Sequence, residues 1–65
     1  MIRVKGRDMT WYEGMTVADV LRELGDGFPY AAALVNDRYV GRKDFETAGI
    51  SDGSEIVLIP GVGGG

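Results

Sequence analysis

Thr16-Val17-Ala18-Asp19-Val20-Leu21-Arg22-Glu23-Leu24-Gly25 is the segment whose reading decides the fold. Val17, Val20, Leu21 and Leu24 recur at i, i+3, i+4 and i+7, which puts one apolar stripe along a helix. Asp19, Arg22 and Glu23 fall off that stripe. Thr16 is a good N-cap, and Asp19 three residues on completes a capping box with Asp in the usual Glu position. Gly25 can adopt the left-handed conformation that ends a helix. The segment therefore predicts a short helix over 17–24 with a single buried face.

Outward from this helix the patterning changes to period two. Ile2 and Val4 alternate with Arg3 and Lys5, as in a strand with one polar face. Gly6-Arg7-Asp8 reads as a hairpin turn, and Met9-Thr10-Trp11-Tyr12 as the returning strand. On the other side of the helix, Asp26-Gly27-Phe28-Pro29-Tyr30 reads as loop, because Pro29 biases Phe28 away from helical geometry. Residues 31–35 form a small-residue apolar run leading into an Asn36-Asp37 turn and a short strand at Arg38-Tyr39-Val40. A single helical turn is expected around Asp44-Phe45-Glu46, and Ser51-Asp52-Gly53-Ser54 is a turn signal. Residues 55–59 are rich in β-formers, with 56–59 apolar throughout. Such a run fits a central strand covered on both faces, or one whose second face awaits a partner. The order β-β-α-β-β-β, with one helix to cover one face of a sheet, defines an α+β roll.

Composition limits what such a domain can do. Sixty-five residues make one small domain with a marginal core, and there is no Cys or His. Disulfides, thiolate nucleophiles, imidazole bases and the usual zinc ligand sets are excluded. A net charge of −3, from 7 basic and 10 acidic residues, disfavours a nucleic-acid binder. No apolar run approaches a membrane span, and the first residues lack the apolar core of a secretory signal. A soluble cytoplasmic protein with no membrane contact is the expectation. Asp8, Asp19, Asp26, Asp37, Asp44 and Asp52 are spread through turns and caps, so no metal site is expected.

The end of the chain stands apart. Gly61-Val62-Gly63-Gly64-Gly65 holds four of the eleven glycines. Glycine contributes no packing and carries the largest ordering entropy of any residue. One reading is a frayed terminus or linker. The other is a tail whose terminal carboxylate threads a narrow channel in another protein, where side chains would clash. Residues 60–65 reach roughly 20 Å when extended, enough to enter a partner's buried active site.

Taken together, these parts resemble a known family. The matching residues are Thr16, Val20, Leu21, Leu24, Gly25, Val35, Asn36, Val40, Arg42, Asp52, Gly53, Glu55, Ile56, Gly64 and Gly65. In this order and spacing, over nearly the whole chain, they resemble the ThiS/MoaD-type sulfur carriers of the ubiquitin-like, β-grasp superfamily. The resemblance implies a β-grasp roll, a mixed sheet of four to five strands with one helix across one face. It also implies a β-grasp domain over 1–60 and a flexible glycine-rich tail over 61–65.

What the resemblance implies about function is a carrier, not an enzyme, with no catalytic residues of its own. Gly65 would be the group modified, first as an acyl-adenylate and then as a thiocarboxylate. Gly61, Val62, Gly63 and Gly64 would thread the tail. No cofactor would be bound, ATP and magnesium being used by the partner. The implied partners are an E1-like adenylating enzyme of the ThiF/MoeB type, a cysteine desulfurase or other persulfide donor, and a thiazole synthase or molybdopterin synthase large subunit. The length and the Val-Gly-Gly-Gly ending are closer to the thiamine-pathway carriers. The molybdopterin synthase small subunit usually ends P-P-V-x-G-G, and Gly61 stands here in place of the second proline. A carrier for another sulfur product, a ubiquitin-like modifier that forms isopeptide bonds, and a non-catalytic β-grasp interaction module are the alternatives.

The remaining features have structural readings. Arg3, Lys5 and Arg7 form a small basic edge, read as a solvated strand face that discourages edge pairing. Arg42 and Lys43 read as surface. Trp11, Tyr12, Phe28, Tyr30, Tyr39 and Phe45 read as core or rim packing. Because one helix covers only one face of Val57-Leu58-Ile59, this strand is expected to leave an exposed apolar patch near the tail for a partner to grip.

Overall fold

The computed structural model describes residues 1–25, 27 and 29–61. Among these, the elements follow in the order β1 (Ile2–Val4), β2 (Arg7–Met9), α1 (Val17–Leu24), β3 (Tyr30–Val35), β4 (Arg38–Gly41), a 3-10 turn (Arg42–Asp44) and β5 (Glu55–Pro60). The strands form one sheet in the order β2-β1-β5-β3-β4. β1 and β5 run parallel, and the other neighbours pair antiparallel. With α1 packed across one face, this is the α+β, β-grasp arrangement.

The helix begins and ends where its signals place it. Its first turn has four backbone donors without helical partners. The Val17 N–H donates to the Ala48 carbonyl at 3.1 Å and the Ala18 N–H to the Phe45 carbonyl at 2.8 Å. The Asp19 N–H donates to Thr16 Oγ1 at 3.3 Å, and the Thr16 N–H returns a bond to the Asp19 carboxylate at 3.0 Å. The capping box is thus closed in both directions. Gly25 ends the helix at φ 67°, its N–H donating to the Leu21 carbonyl.

Val17, Val20 and Ala18 bury against Ile2, Val4, Ala33 and Ile56 of the sheet, with Leu21 and Leu58 packed at the margin. Met15, Phe45 and Ile50 complete the core from loops and are at most 5% exposed. The loop that caps α1 lends it the Phe45 and Ala48 carbonyls, which holds Phe45 next to the helix. The Ile50 N–H donates to the Met15 carbonyl, tying the two loops together.

Three local expectations are corrected. The first hairpin turns at Lys5-Gly6, both at positive φ (53° and 76°), so Val4 pairs with Arg7. This two-residue loop matches the twist of the hairpin, and it brings the second strand forward to residues 7–9. Trp11 and Tyr12 lie beyond it. Helical geometry after β4 starts at Arg42, not Asp44, because the Phe45 N–H closes the turn on the Arg42 carbonyl. Finally, β1 lies between β2 and β5, so of the supposed basic edge only Arg7 sits on an edge strand. Arg3 pairs with Asp8 at 3.7 Å, and Lys5 donates to the Tyr30 hydroxyl at 2.9 Å. No helix among the described residues is long and apolar enough to cross a membrane.

Candidate functional site

The most apolar strand takes the middle of the sheet, so the chain end leaves from the centre of the fold. β5 pairs with β1 through Glu55 and Ile56, opposite Arg3 and Val4. From Val35↔Ile56 onward its ladder with β3 continues to Tyr30↔Pro60, with an irregularity between Tyr30 and Ala32. The start of β5 is fixed by polar contacts. The Glu55 N–H donates to the Asn36 side-chain carbonyl at 2.9 Å, and the Asn36 amide donates to Ser54 Oγ at 3.2 Å. Ser54, 2% exposed, donates in turn to the Ser51 carbonyl at 2.7 Å. Asn36 and Asp37 make the β3–β4 turn at φ 51° and 69°, a conformation Asn and Asp tolerate better than most residues.

At the other end of β5, Gly61 continues past Pro60. Its N–H donates to the Pro29 carbonyl at 3.1 Å. A Cβ on Gly61 would stand 2.8 Å from that oxygen, so the absence of a side chain is a steric requirement here. Arg42, the first residue of the 3-10 turn after β4, donates from Nε to the Tyr30 carbonyl at 3.3 Å. Two successive carbonyls of the β3 entry therefore hold the last described residue and a guanidinium beside it. Val62, Gly63, Gly64 and Gly65 lie outside the described residues, as do Asp26 and Phe28.

Val57, Leu58 and Ile59 do not share one face. Leu58 packs against the core on the helix side. Val57, 47% exposed, and the half-buried Ile59 alternate with it on the opposite face. Register places Leu34 beside Val57 and Tyr39 beside Leu34 on that same open face. The aromatics divide as well. Phe45 and Tyr30 are buried, Trp11 is half-buried with Nε1 donating to the Ile50 carbonyl at 2.7 Å, and Tyr12 and Tyr39 are exposed. The Lys5 ammonium also sits 5.6 Å from the Tyr30 ring centroid.

Among the described residues, Asp19 and Asp52 are perturbed carboxylates, both for structural reasons. The Thr16 backbone N–H and then the Arg22 guanidinium, 2.5 Å away, hold Asp19 below its ordinary range. The Met1 ammonium, 2.6 Å away, does the same for Asp52. Neither group faces the root of the tail. Among the described residues no cluster of three or more acidic side chains forms.

The roles of Pro29 and Arg42 at Gly61 were hidden in the sequence. They are 32 and 19 positions from Gly61, and the β3–β4 and β3–β5 ladders bring them together. A proline just before a strand and an arginine just after one gave no sign of this.

A β-grasp domain whose central strand runs directly into a glycine-rich end defines the class of ubiquitin-like carriers with a C-terminal Gly-Gly. The ThiS family model matches residues 2–65, and the chain belongs to the ThiS family. Proteins of this family are small sulfur carriers and not catalysts, and that general role extends to this chain.

Proposed function

We propose that the chain carries sulfur as a thiocarboxylate on Gly65 and delivers it for thiazole formation in thiamine biosynthesis. The observation that supports this most is that the family match runs through to Gly65, so it takes in the terminal Gly63-Gly64-Gly65. The chain has no Cys or His, so it offers no thiolate or imidazole of its own, which is consistent with chemistry on the carboxylate of Gly65.

The chemistry runs in three balanced steps. A Gly65 carboxylate oxygen attacks the α-phosphorus of ATP on an E1-like, ThiF-type enzyme, and magnesium pyrophosphate leaves. The outer sulfur of a persulfide, supplied through a cysteine desulfurase, attacks the activated carbonyl and AMP leaves. A thiol then cleaves the resulting S–S bond, is itself oxidised to a disulfide, and releases the thiocarboxylate. A thiazole synthase consumes that sulfur. Glycines 63 and 64 let the chain pass a channel too narrow for side chains, and Val57 and Ile59 on the open face offer an apolar grip for the partner. Leu58 serves the core instead.

The test is adenylate formation, followed as ATP–pyrophosphate exchange with a ThiF-type enzyme. Full-length chain supports exchange, and the variant lacking Gly65 does not. Equal exchange by both would refute the role of Gly65. Activation by a MoeB-type enzyme, with sulfur passed only to a molybdopterin synthase large subunit, would move the product away from thiamine. Isopeptide conjugates in place of a thiocarboxylate would favour a protein modifier.

A further inference from the structure

Gly61 is held more closely than a freely jointed tail would be. Its N–H is bonded to the Pro29 carbonyl, and a Cβ there would meet the same oxygen at 2.8 Å. Nη2 of Arg42 stands 3.9 Å from that Cβ position, and so does the Ala31 Cβ. Arg42 is itself tethered by the Nε bond to the Tyr30 carbonyl. The side chain is otherwise exposed, at the start of a 3-10 turn that needs no arginine. Its planar fork can keep Nε on the carbonyl while the Nη groups lie against the tail root, a geometry that lysine's single ammonium cannot reproduce.

We infer that Arg42 is a positioning residue: with the Pro29 carbonyl it forms a collar around Gly61 that sets the direction in which the tail leaves the domain. The collar keeps the Gly61 backbone ordered at the end of β5, so docking to the activating enzyme does not have to order it. Without it Gly61 and the end of β5 are released, and docking must order additional backbone. The loss then falls on capture of the carrier and not on the chemical step, because Gly65 is unchanged once seated. This inference rests on the proposed adenylation of Gly65.

The experiment compares full-length wild type with Arg42→Gln, Arg42→Lys, Gly61→Ala and the neighbouring surface variant Lys43→Gln. Steady-state pyrophosphate exchange is measured with the carrier as varied substrate, and amide hydrogen exchange is measured at Gly61. Arg42→Gln and Arg42→Lys should each raise KM by about tenfold, the equivalent of ordering roughly one more residue, and leave kcat little changed. Both should speed exchange of the Gly61 amide, and Lys43→Gln should match wild type. Gly61→Ala should show the same KM effect or greater; if it fails to fold, the Arg42 pair decides the question. Wild-type KM and Gly61 protection in Arg42→Gln would overturn the collar, as would full rescue by Arg42→Lys, which would assign the effect to charge. If wild type itself is not adenylated, the proposed function fails first and the inference with it. Active wild type with indifferent variants removes the inference alone.

Discussion

Ile56 and Val57 are neighbours in β5, and the fold gives them opposite duties. Ile56 is 1% exposed between β1 and β3, whereas Val57 is 47% exposed on the face that α1 does not cover. Ile56→Ala removes three carbons, worth about 2.4 kcal/mol of transfer free energy at ~0.8 kcal/mol each. The residual cavity adds to this, within the range of about 2–5 kcal/mol typical of such truncations. A domain of this size has a total stability of roughly 3–10 kcal/mol, so a loss of ~3 kcal/mol is a large share. At about 4–8 °C per kcal/mol, the melting temperature should fall by 12–24 °C. Val57→Ala loses two half-exposed methyls and should cost less than about 1 kcal/mol. Thermal melts followed by circular dichroism measure both, and Ile56→Val should fall between them if Ile56→Ala does not fold. A Val57→Ala variant that melts as low as Ile56→Ala would refute the assignment of faces.

Further predictions follow from the caps and the open face. Thr16→Ala opens the capping box and should lower stability by about 1 kcal/mol in urea denaturation. Because the folded pKa of Asp19 lies below its unfolded value, its contribution is present above the unfolded pKa and is lost as pH falls through the folded one. Wild type should therefore lose more stability than Asp19→Asn between pH 7 and pH 3, and parallel losses would refute this role. Gly25→Ala forces an L side chain to φ 67° and should cost about 1 kcal/mol, read as a lower urea midpoint. Val57→Asp should leave the melt within a few degrees and weaken docking to the activating enzyme, read as a higher KM for the carrier; an unchanged KM would remove the open face from the interface.

Much of the fold was legible because its signals are local. The i, i+3, i+4, i+7 stripe, Thr16 and Gly25 fix α1 without help from the rest of the chain. The apolar run at 56–59 required a central strand, and it occupies one. Its two possible coverings could not be separated by sequence, since a run of apolar residues hides the pleat; Val57 and Leu58 part company only once α1 chooses a face. The first hairpin was misplaced because Gly6 was read as opening a turn that Lys5 begins, and lysine at positive φ has no sequence signature. Phe45 was read as core or rim packing and is buried, whereas Met15 and Ile50 escaped notice as core because no periodicity marks buried loop residues. At the chain end, the glycines raise the expectation placed on Gly65, while the Pro29 and Arg42 contacts around Gly61 depend on long-range pairing.

The central claim is that Gly65 carries sulfur, and thiol-directed alkylation followed by mass spectrometry of the C-terminal peptide tests it most directly. The protein is incubated with ATP, an activating enzyme and a persulfide donor. Intact mass alone would mislead, because exchanging oxygen for sulfur shifts the nominal mass as oxidation of one of the three Met does. With no Cys in the chain, a thiocarboxylate is the thiol-like group that the reagent would find. The account predicts alkyl label on Gly65 that depends on ATP and on the sulfur donor. An adenylated but unlabelled Gly65, under conditions where the donor is shown to be competent, would contradict it.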